Sequence, residues 1–210
     1  MPQTQLYLIR HGQTDWNLRA MLQGRTDIPL NETGRRQAME ARERLAGVHF
    51  DAVYSSPLRR AMDTAQLVSG WPGEKICPDE RLTEVAFGPY EGKDPHTLGP
   101  AFACFFTDPE AYRPPQGAES LQSALERTGD FLAFAAEKHP SQTLLVAGHG
   151  AALHAMLTAA LANPLDQFWS VNLDNCRVAV LTRDESAPCG WRLTASDGTG
   201  AGAYLKKYLG

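Results

Sequence analysis

The chain has 210 residues, of which 43% are hydrophobic, and a formal net charge of −4 at pH 7. This length suits one α/β domain with a sizeable buried core, and we expect a single domain over residues 1–210. The negative charge argues against a nucleic-acid-binding protein, and no apolar run reaches the roughly 18 residues of a membrane span. The chain starts without a basic and apolar leader, which predicts a cytoplasmic protein.

Hydrophobic patterning predicts an alternation of strands and helices. The predicted strands are residues 5–10, 51–55, 75–78 and 143–148, and the predicted helices are residues 14–21, 33–46, 57–69, 118–138 and 150–162. A hairpin over 174–183 and 190–196 extends the sheet at one edge. The expected fold is a three-layer α/β sandwich, a mainly parallel sheet with helices on both faces. Residues 198–210 are expected to form a tail.

The first strand ends in Arg10-His11-Gly12. Ligands of α/β proteins bind outside the carboxyl ends of parallel strands, so Arg10 and His11 lie at the expected ligand-binding rim. Gly12 lets the backbone turn and approach a ligand closely. Asn17 and Gln23 follow, and they fit ligand contacts and ordinary helix or turn polarity equally well.

The second strand leads into a helix with two arginines. Ser56 as N-cap and Pro57 at the first helical position predict the start of this helix. Arg59 and Arg60 then lie in the first turn, where the helix dipole favours anions rather than cations. A bound anion would resolve this conflict.

The fourth strand ends in Gly148-His149-Gly150. If the three strands are parallel neighbours, their ends bring two imidazoles and an arginine pair to one rim. Guanidinium groups bind phosphate oxygens bidentately, and an unprotonated imidazole can attack phosphorus. The three junctions together therefore predict a phosphate site.

No metal or cofactor is expected. The cysteines Cys77, Cys104, Cys176 and Cys189 are widely spaced, which favours reduced thiols, and none sits in the glycine-rich anion loop of a cysteine phosphatase. The histidines show neither the i, i+4 pair nor the Cys/His clustering of a zinc site.

A set of short motifs occurs in order over roughly residues 5–155. The motifs are Leu8-Ile9-Arg10-His11-Gly12-Gln13-Thr14 with Trp16-Asn17, Pro29-Leu30-Asn31-Glu32-Thr33-Gly34 with Gln37-Ala38, Ser55-Ser56-Pro57-Leu58 with Arg60-Ala61 and Thr64-Ala65, Leu82-Thr83-Glu84 with Phe87-Gly88 and Tyr90-Glu91-Gly92, Glu119-Ser120, and Gly148-His149-Gly150. As an ordered set they resemble the histidine phosphatase superfamily, which includes the cofactor-dependent phosphoglycerate mutases.

The resemblance implies a role for each matching position. It implies that His11 is the nucleophile that carries the phosphoryl group, and that Glu84 protonates the leaving oxygen and then activates water. Glu80 and Glu91 lie nearby and are the rivals for that role. The implied phosphate-holding set is Arg10, Arg60 and His149, with Asn17 and Gln23 at the mouth. Since His11 must be unprotonated and His149 is best protonated, we expect their neighbours to separate the two pKa values and to give a bell-shaped or acid-leaning pH profile.

An insertion at about 93–117 caps the active site, if the resemblance holds. It offers few cations, namely Lys93, His96 and Arg113, whereas a mutase must also hold the carboxylate of phosphoglycerate. The predicted function is therefore hydrolysis of a small phosphorylated metabolite, with no nucleic-acid or membrane partner. The alternatives are a cofactor-dependent phosphoglycerate mutase and a non-catalytic phosphate-binding module. Neither the substrate nor the oligomeric state follows from the sequence.

Overall fold

A computed structural model of the chain describes residues 3–197, so the predicted tail at 198–210 lies outside the described residues. Six strands and six α-helices make up the described part. The strands are β1 (Gln5–Arg10), β2 (Ala52–Ser55), β3 (Cys77–Pro78), β4 (Thr143–Gly148), β5 (Val178–Arg183) and β6 (Trp191–Ser196). The helices are α1 (Asp15–Leu18), α2 (Glu32–Arg44), α3 (Arg59–Ser69), α4 (Pro100–Thr107), α5 (Leu121–Lys138) and α6 (Gly150–Leu161).

The strands form one sheet in the order β3-β2-β4-β1-β5-β6. Strands β1 to β4 are mutually parallel, whereas β5 runs antiparallel to β1, and β6 antiparallel to β5. In the register, Arg10 pairs with Gly148 and Ser55 pairs with Ala147. The carboxyl ends of β1, β4 and β2 therefore meet at one rim, and the predicted mainly parallel sheet with an antiparallel hairpin is confirmed.

Helices cover both faces of the sheet. The side chains of β1 alternate, so that Leu6 and Leu8 pack into the core under α5 and α6, while Ile9 packs toward α2 and α3. The same alternation occurs in the neighbouring β4, where every side chain from residue 144 onward is buried. Burial on both faces explains why these two central strands are almost continuously apolar.

Several elements are shorter than the sequence prediction. Helix α5 begins at Leu121 rather than at residue 118, β3 begins at Cys77 rather than at residue 75, and β5 begins at Val178 rather than at residue 174. Helix α3 begins at Arg59 rather than at residue 57, because the hydroxyl of Ser56 accepts a hydrogen bond from the N–H of Leu58 and forms a local turn. Helix α1 has only four residues, since Ala20 adopts a left-handed backbone conformation with φ of 56°. Both arginines nevertheless lie in the first turn of α3.

Helix α4 lies on a cluster of aromatic side chains. Phe102, Phe105 and Phe106 are almost fully buried, and they contact Phe87 and Trp169 with edge or tilted ring geometries. The cluster continues onto the amino-terminal halves of α5 and α6. These phenylalanines therefore stabilise the segment around α4 by packing.

Candidate active site

His11 lies at the rim of the sheet, just beyond β1. Its backbone N–H donates to the carbonyl of Gly148, and its ring is 2% exposed. Nδ1 donates to the carbonyl of Gly12 at 2.7 Å, so in the neutral ring Nε2 holds the lone pair. Burial, and then the positive charges of Arg60 and Arg10, lower the pKa of His11 well below its usual value. The imidazole is therefore unprotonated at neutral pH and offers Nε2 as a nucleophile.

His149 lies beside His11, with ring centroids 5.1 Å apart. Its Nδ1 accepts a hydrogen bond from Nε of Arg60 at 3.2 Å, which places the ring proton on Nε2. That Nε2 is buried and has no hydrogen-bond partner among residues 3–197. Burial, and then the charges of Arg60 and other neighbours, lower the pKa of His149 well below its usual value. The expectation of a protonated His149 is therefore wrong: the ring is neutral and presents one N–H.

Arg60 is fully buried and reaches the site from the first turn of α3. Its two terminal nitrogens donate to the carbonyls of Thr26 and Gly24 at 2.8 and 2.7 Å, which aims Nε at His149. Burial lowers the pKa of Arg60 to about 10, so the guanidinium stays charged at neutral pH. Arg59 instead points away and pairs at 3.8 Å with Asp63, and its side chain is 64% exposed.

Arg10 is the second buried guanidinium of the site, with 3% of the residue exposed. Its Nη1 donates to the carbonyl of Leu173 at 3.1 Å. Two buried cations beside two neutral imidazoles leave an excess of positive charge that water cannot solvate. Such an arrangement is typical of a site that binds an anion.

Glu84 is the acid that the fold brings to the same rim, and it is 7% exposed. One carboxylate oxygen accepts from the N–H groups of Val85 and Ala152, and the other accepts from the N–H of Ala151. Residues 151 and 152 belong to the first turn of α6, whose own N-cap residue forms no side-chain cap. Glu84 therefore caps the helix that follows His149.

The two rival acids have other contacts. Glu91 binds the loop that receives Arg60, because it accepts hydrogen bonds from the N–H groups of Arg25, Thr26 and Phe87. Glu80 is exposed and accepts from the hydroxyl of Thr83. Neither residue lines the cavity that His11 and Glu84 share.

Asn17 and Gln23 line this cavity and are each 7% exposed. The hydroxyl of Thr14, the N-cap of α1, lies 3.2 Å from Oδ1 of Asn17 and 2.9 Å from Oε1 of Gln23, and its one hydrogen is shared between them. Asn17 thus takes part in capping α1 and also lines the cavity.

The cavity itself is small, with a volume of about 20 Å³. That is more than the roughly 10–15 Å³ that one water molecule needs. The lining residues are Arg10, His11, Asn17, Met21, Leu22, Gln23, Gly24, Arg60, Glu84 and Phe87. All of these precede residue 93, so the segment expected to cap the site contributes no lining residue in this structure.

Asn175 is a residue of the site that the sequence analysis missed. Its side-chain amide donates to the carbonyl of His11 at 2.8 Å and lies 3.4 Å from Oδ1 of Asn17. The next residue, Cys176, donates its N–H to the carbonyl of Arg10 and has φ of 57°. The link before β5 thus holds the Arg10–His11 backbone, and no periodicity or motif in the sequence indicates this contact.

Among the described histidines, His11 is the one that lines the cavity, and His149 lies beside His11 outside the lining. His49 and His96 are exposed, His139 contacts Tyr54 and Gln142, and buried His154 contacts the carbonyls of Gly150 and Val171. Within residues 3–197, no group of three or more His, Cys, Asp or Glu side chains is arranged to hold a metal ion. Among the helices of that range, none has the length and apolar character that a membrane crossing requires.

Comparison with known proteins places this site in a family. Residues 6–195 match the family model of the histidine phosphatase superfamily (branch 1). The chain is 33% identical over 177 residues to a putative phosphoserine phosphatase 2 of Hydrogenobacter thermophilus, with 82% of this chain and 86% of that protein covered. It is 34% identical over 190 residues to the uncharacterized phosphatase PhoE of Bacillus subtilis, with 90% and 92% covered.

Solved structures agree with these relatives. A phosphoserine phosphatase of Entamoeba histolytica in complex with phosphoserine superposes with a TM-score of 0.82 at 27% identity, covering 93% of this chain and 97% of that one. The chain belongs to the histidine phosphatase superfamily, as the motifs indicated. It is a hydrolase of the phosphatase type, similar to phosphoserine phosphatases and to phosphoglycerate mutase-like proteins.

Proposed function

We propose that the chain hydrolyses small phosphomonoesters through a phosphohistidine on His11, with Glu84 as general acid and then general base. The observation that carries this proposal is the buried Nε2–H of His149. It has no partner in the described part of the chain, it lies beside the unprotonated Nε2 of His11, and two buried guanidiniums flank the pair. A phosphoryl group is an anion that accepts from such donors and is open to attack by such a lone pair.

In the first step, Nε2 of His11 attacks phosphorus and the bond from phosphorus to the ester oxygen breaks. The leaving oxygen takes the bonding electron pair and receives a proton from Glu84, so an alcohol departs. Charge on the phosphoryl oxygens is held by Arg10, Arg60 and the Nε2–H of His149. Each charge-assisted hydrogen bond contributes about 1.5–3 kcal/mol, which makes these contacts the largest source of stabilisation.

In the second step, water attacks the phosphohistidine and gives one proton to Glu84. The N–P bond breaks, its electron pair returns to Nε2 of His11, and inorganic phosphate leaves. The site is then restored with the carboxyl protonated again. Glu84 serves both steps from one place because the alcohol leaves along the line on which the water enters. General acid–base catalysis of this kind contributes about 10²–10⁴-fold.

Asn17 and Gln23 complete the proposed phosphate-binding set at the mouth, and no metal ion or cofactor takes part. Residues 93–117 are proposed as a cap on a single catalytic domain. The aromatic cluster around α4 supports this, because it is continuous with the first turns of the helices next to Glu84. The relatives point to phosphorylated amino acids or hydroxy acids, since the E. histolytica protein was solved with phosphoserine and with 3-phosphoglyceric acid.

The proposal is tested by phosphate release from a panel of metabolite phosphates without added metal. We expect turnover of at least one small phosphomonoester, and loss of turnover in His11→Ala. The matched control is His49→Ala, which removes an exposed histidine outside the cavity. Binding of phosphate without turnover would instead identify a non-catalytic phosphate-binding module.

A phosphoglycerate mutase is the second candidate, favoured by a relative described as a probable phosphoglycerate mutase GpmB of Cronobacter sakazakii, 32% identical over 201 residues. A mutase returns the phosphoryl group to the bound product and needs priming by a bisphosphate. Incubation with 3-phosphoglycerate distinguishes the two activities. Hydrolysis releases free phosphate, whereas a mutase interconverts the isomers and releases little.

A further inference from the structure

The Glu119-Ser120 motif has no part in the proposed chemistry, yet Glu119 has the densest set of ionic contacts among the described carboxylates near the site. Its side chain is 9% exposed. Nε and Nη2 of Arg127 donate to its two oxygens at 2.7 and 3.0 Å, and Nη2 of Arg25 and the hydroxyl of Ser123 donate at 3.3 and 3.2 Å. The side chain is thus held by two arginines.

The other ends of both arginines bind the segment that carries the proposed acid. Nε of Arg25 donates to the carbonyl of Glu84 itself at 3.3 Å. Nη1 of Arg127 donates to the carbonyl of Arg81 at 2.7 Å. The N–H of Glu119 also donates to the carbonyl of Ala86 at 2.8 Å. The residues from 81 to 86 are therefore attached to Glu119 at three points along one stretch of backbone.

The contacts of Glu119 with Arg25 and Arg127 are ion pairs, and they are partly shielded from water. Burial raises the pKa of Glu119, but the hydrogen bond from Arg127 and the charges of Arg127 and Arg25 outweigh it, so the pKa lies below its usual value. The carboxylate is therefore charged at neutral pH and pairs with both guanidiniums. The carboxylate of Glu84 itself accepts hydrogen bonds from backbone N–H groups in the first turn of α6.

We propose that Glu119 is a positioning residue for Glu84: through Arg25 and Arg127 it fixes the backbone of residues 81–86, so that the acid faces the leaving oxygen. The proposal rests on the proposed function, in which Glu84 protonates that oxygen. Proton transfer in a transition state depends steeply on distance and alignment, and a displacement of about 1 Å costs up to about 100-fold. A looser segment therefore weakens acid catalysis before it weakens phosphate binding.

The test compares two substrates that differ in their need for the acid. The alkoxide released from phosphoserine needs a proton, whereas 4-nitrophenolate leaves as a stable anion. In Glu119→Gln, we expect kcat/KM for phosphoserine to fall by about 10-fold or more, and kcat/KM for 4-nitrophenyl phosphate to change by less than about 3-fold. The matched control is Glu126→Gln, an exposed carboxylate of α5 that contacts Gln122.

A double-substitution cycle with Glu84→Gln links the effect to the acid. Once Glu84 is removed, Glu119→Gln should cause no further leaving-group-dependent loss. Arg25→Gln is a second probe that does not depend on the folding of Glu119→Gln, because the Arg25 side chain is 48% exposed. It should show the same selective loss, of smaller size.

Two results would overturn the proposal. If Glu119→Gln lowers kcat/KM equally for both esters, Glu119 only stabilises the fold. If the kinetics are unchanged in both Glu119→Gln and Arg25→Gln, Glu119 does not position Glu84. Failure of the proposed function looks different. In that case Glu84→Gln itself lowers kcat/KM equally for both esters, whatever residue stands at position 119.

Discussion

The Nε of Arg60 donates a hydrogen bond to Nδ1 of His149 at 3.2 Å and thereby sets the proton of His149 on Nε2. His11 has the complementary arrangement, since its Nδ1–H is bound to the carbonyl of Gly12 and its Nε2 carries the lone pair. Two adjacent imidazoles of the same chemical type thus present one donor and one nucleophile. Hydrogen bonding, rather than a difference in charge, distinguishes them.

Arg60→Lys should remove this arrangement. A lysine has no planar fork, so it cannot bind the carbonyls of Gly24 and Thr26 and also donate to His149. We expect kcat/KM for a phosphomonoester to fall by about 10²-fold or more, and inhibition by inorganic phosphate to weaken. Arg59→Lys, the exposed neighbour in the same helix turn, should stay within about 2-fold of the wild type. Similar losses in both variants would contradict the assigned contacts.

The pH profile follows from the lowered pKa values of His11 and His149. Because His11 stays unprotonated well below its usual pKa of about 6.5, the acid limb of kcat/KM should lie well below pH 6.5. A limb centred near 6.5 or above would contradict the burial and charge argument.

Stability should depend on pH through the same two groups. Below about pH 6.5 the unfolded chain takes up protons that the buried rings exclude, so the free energy of unfolding decreases as the pH falls. Denaturant unfolding of the wild type between pH 7.5 and about pH 5 measures this trend. Stability that rises toward acid pH would mean that the folded state binds these protons.

Position 34 requires a glycine because the backbone of a neighbouring segment lies too close to leave room for a side chain. A Cβ at Gly34 would overlap the backbone of Gln13, two residues from His11, whereas a Cβ at Gly129 meets nothing within 4 Å among the described residues. Both glycines lie in helices, α2 and α5. We expect Gly34→Ala to lower the melting temperature and activity together, and Gly129→Ala to stabilise the protein by up to about 1 kcal/mol. Thermal unfolding of the pair checks this, and two equal shifts would refute it.

The side-chain amide of Asn175 should affect activity because its hydrogens are donated to a backbone carbonyl. Asn175→Asp keeps the shape of the side chain but replaces the donor to the carbonyl of His11 with an acceptor, so the two oxygens repel. It also adds a negative charge near His11, which raises the pKa of the ring. We expect a lower kcat and an acid limb displaced to higher pH, whereas the isosteric Asn175→Leu should lower kcat with a smaller displacement. Identical pH profiles would show that the charge does not reach His11.

The strands and the mainly parallel sheet were predictable from the sequence because they depend on local patterns of residues, whereas the order of the strands in the sheet was not predicted. Apolar runs bounded by glycine, such as that before His149, indicate buried strands, and the parallel sheet then places their ends together. The start of α3 was wrong by two residues because the side chain of Ser56 favoured a turn over a cap. Glu84 was chosen over Glu80 and Glu91 on the basis of the resemblance. All three are glutamates with similar neighbours in the sequence, so the residues alone do not distinguish them.

Long-range side-chain contacts could not be predicted. The tautomer of His149 depends on Arg60, which lies 89 positions earlier in the chain. The contact of Asn175 with His11 spans 164 positions, and neither residue belongs to a repeating pattern that would link them. Such contacts can be inferred only when the packing of the whole sheet is known, because the packing determines which strand ends lie next to each other.

The most direct measurement is to locate the phosphoryl group on the protein. Brief incubation with a labelled small phosphomonoester, followed by denaturation and peptide mapping, should give acid-labile, alkali-stable label on His11. His11→Ala should give none, while His49→Ala should be labelled like the wild type. Label on any other side chain, or turnover at the wild-type rate in His11→Ala, would contradict the account.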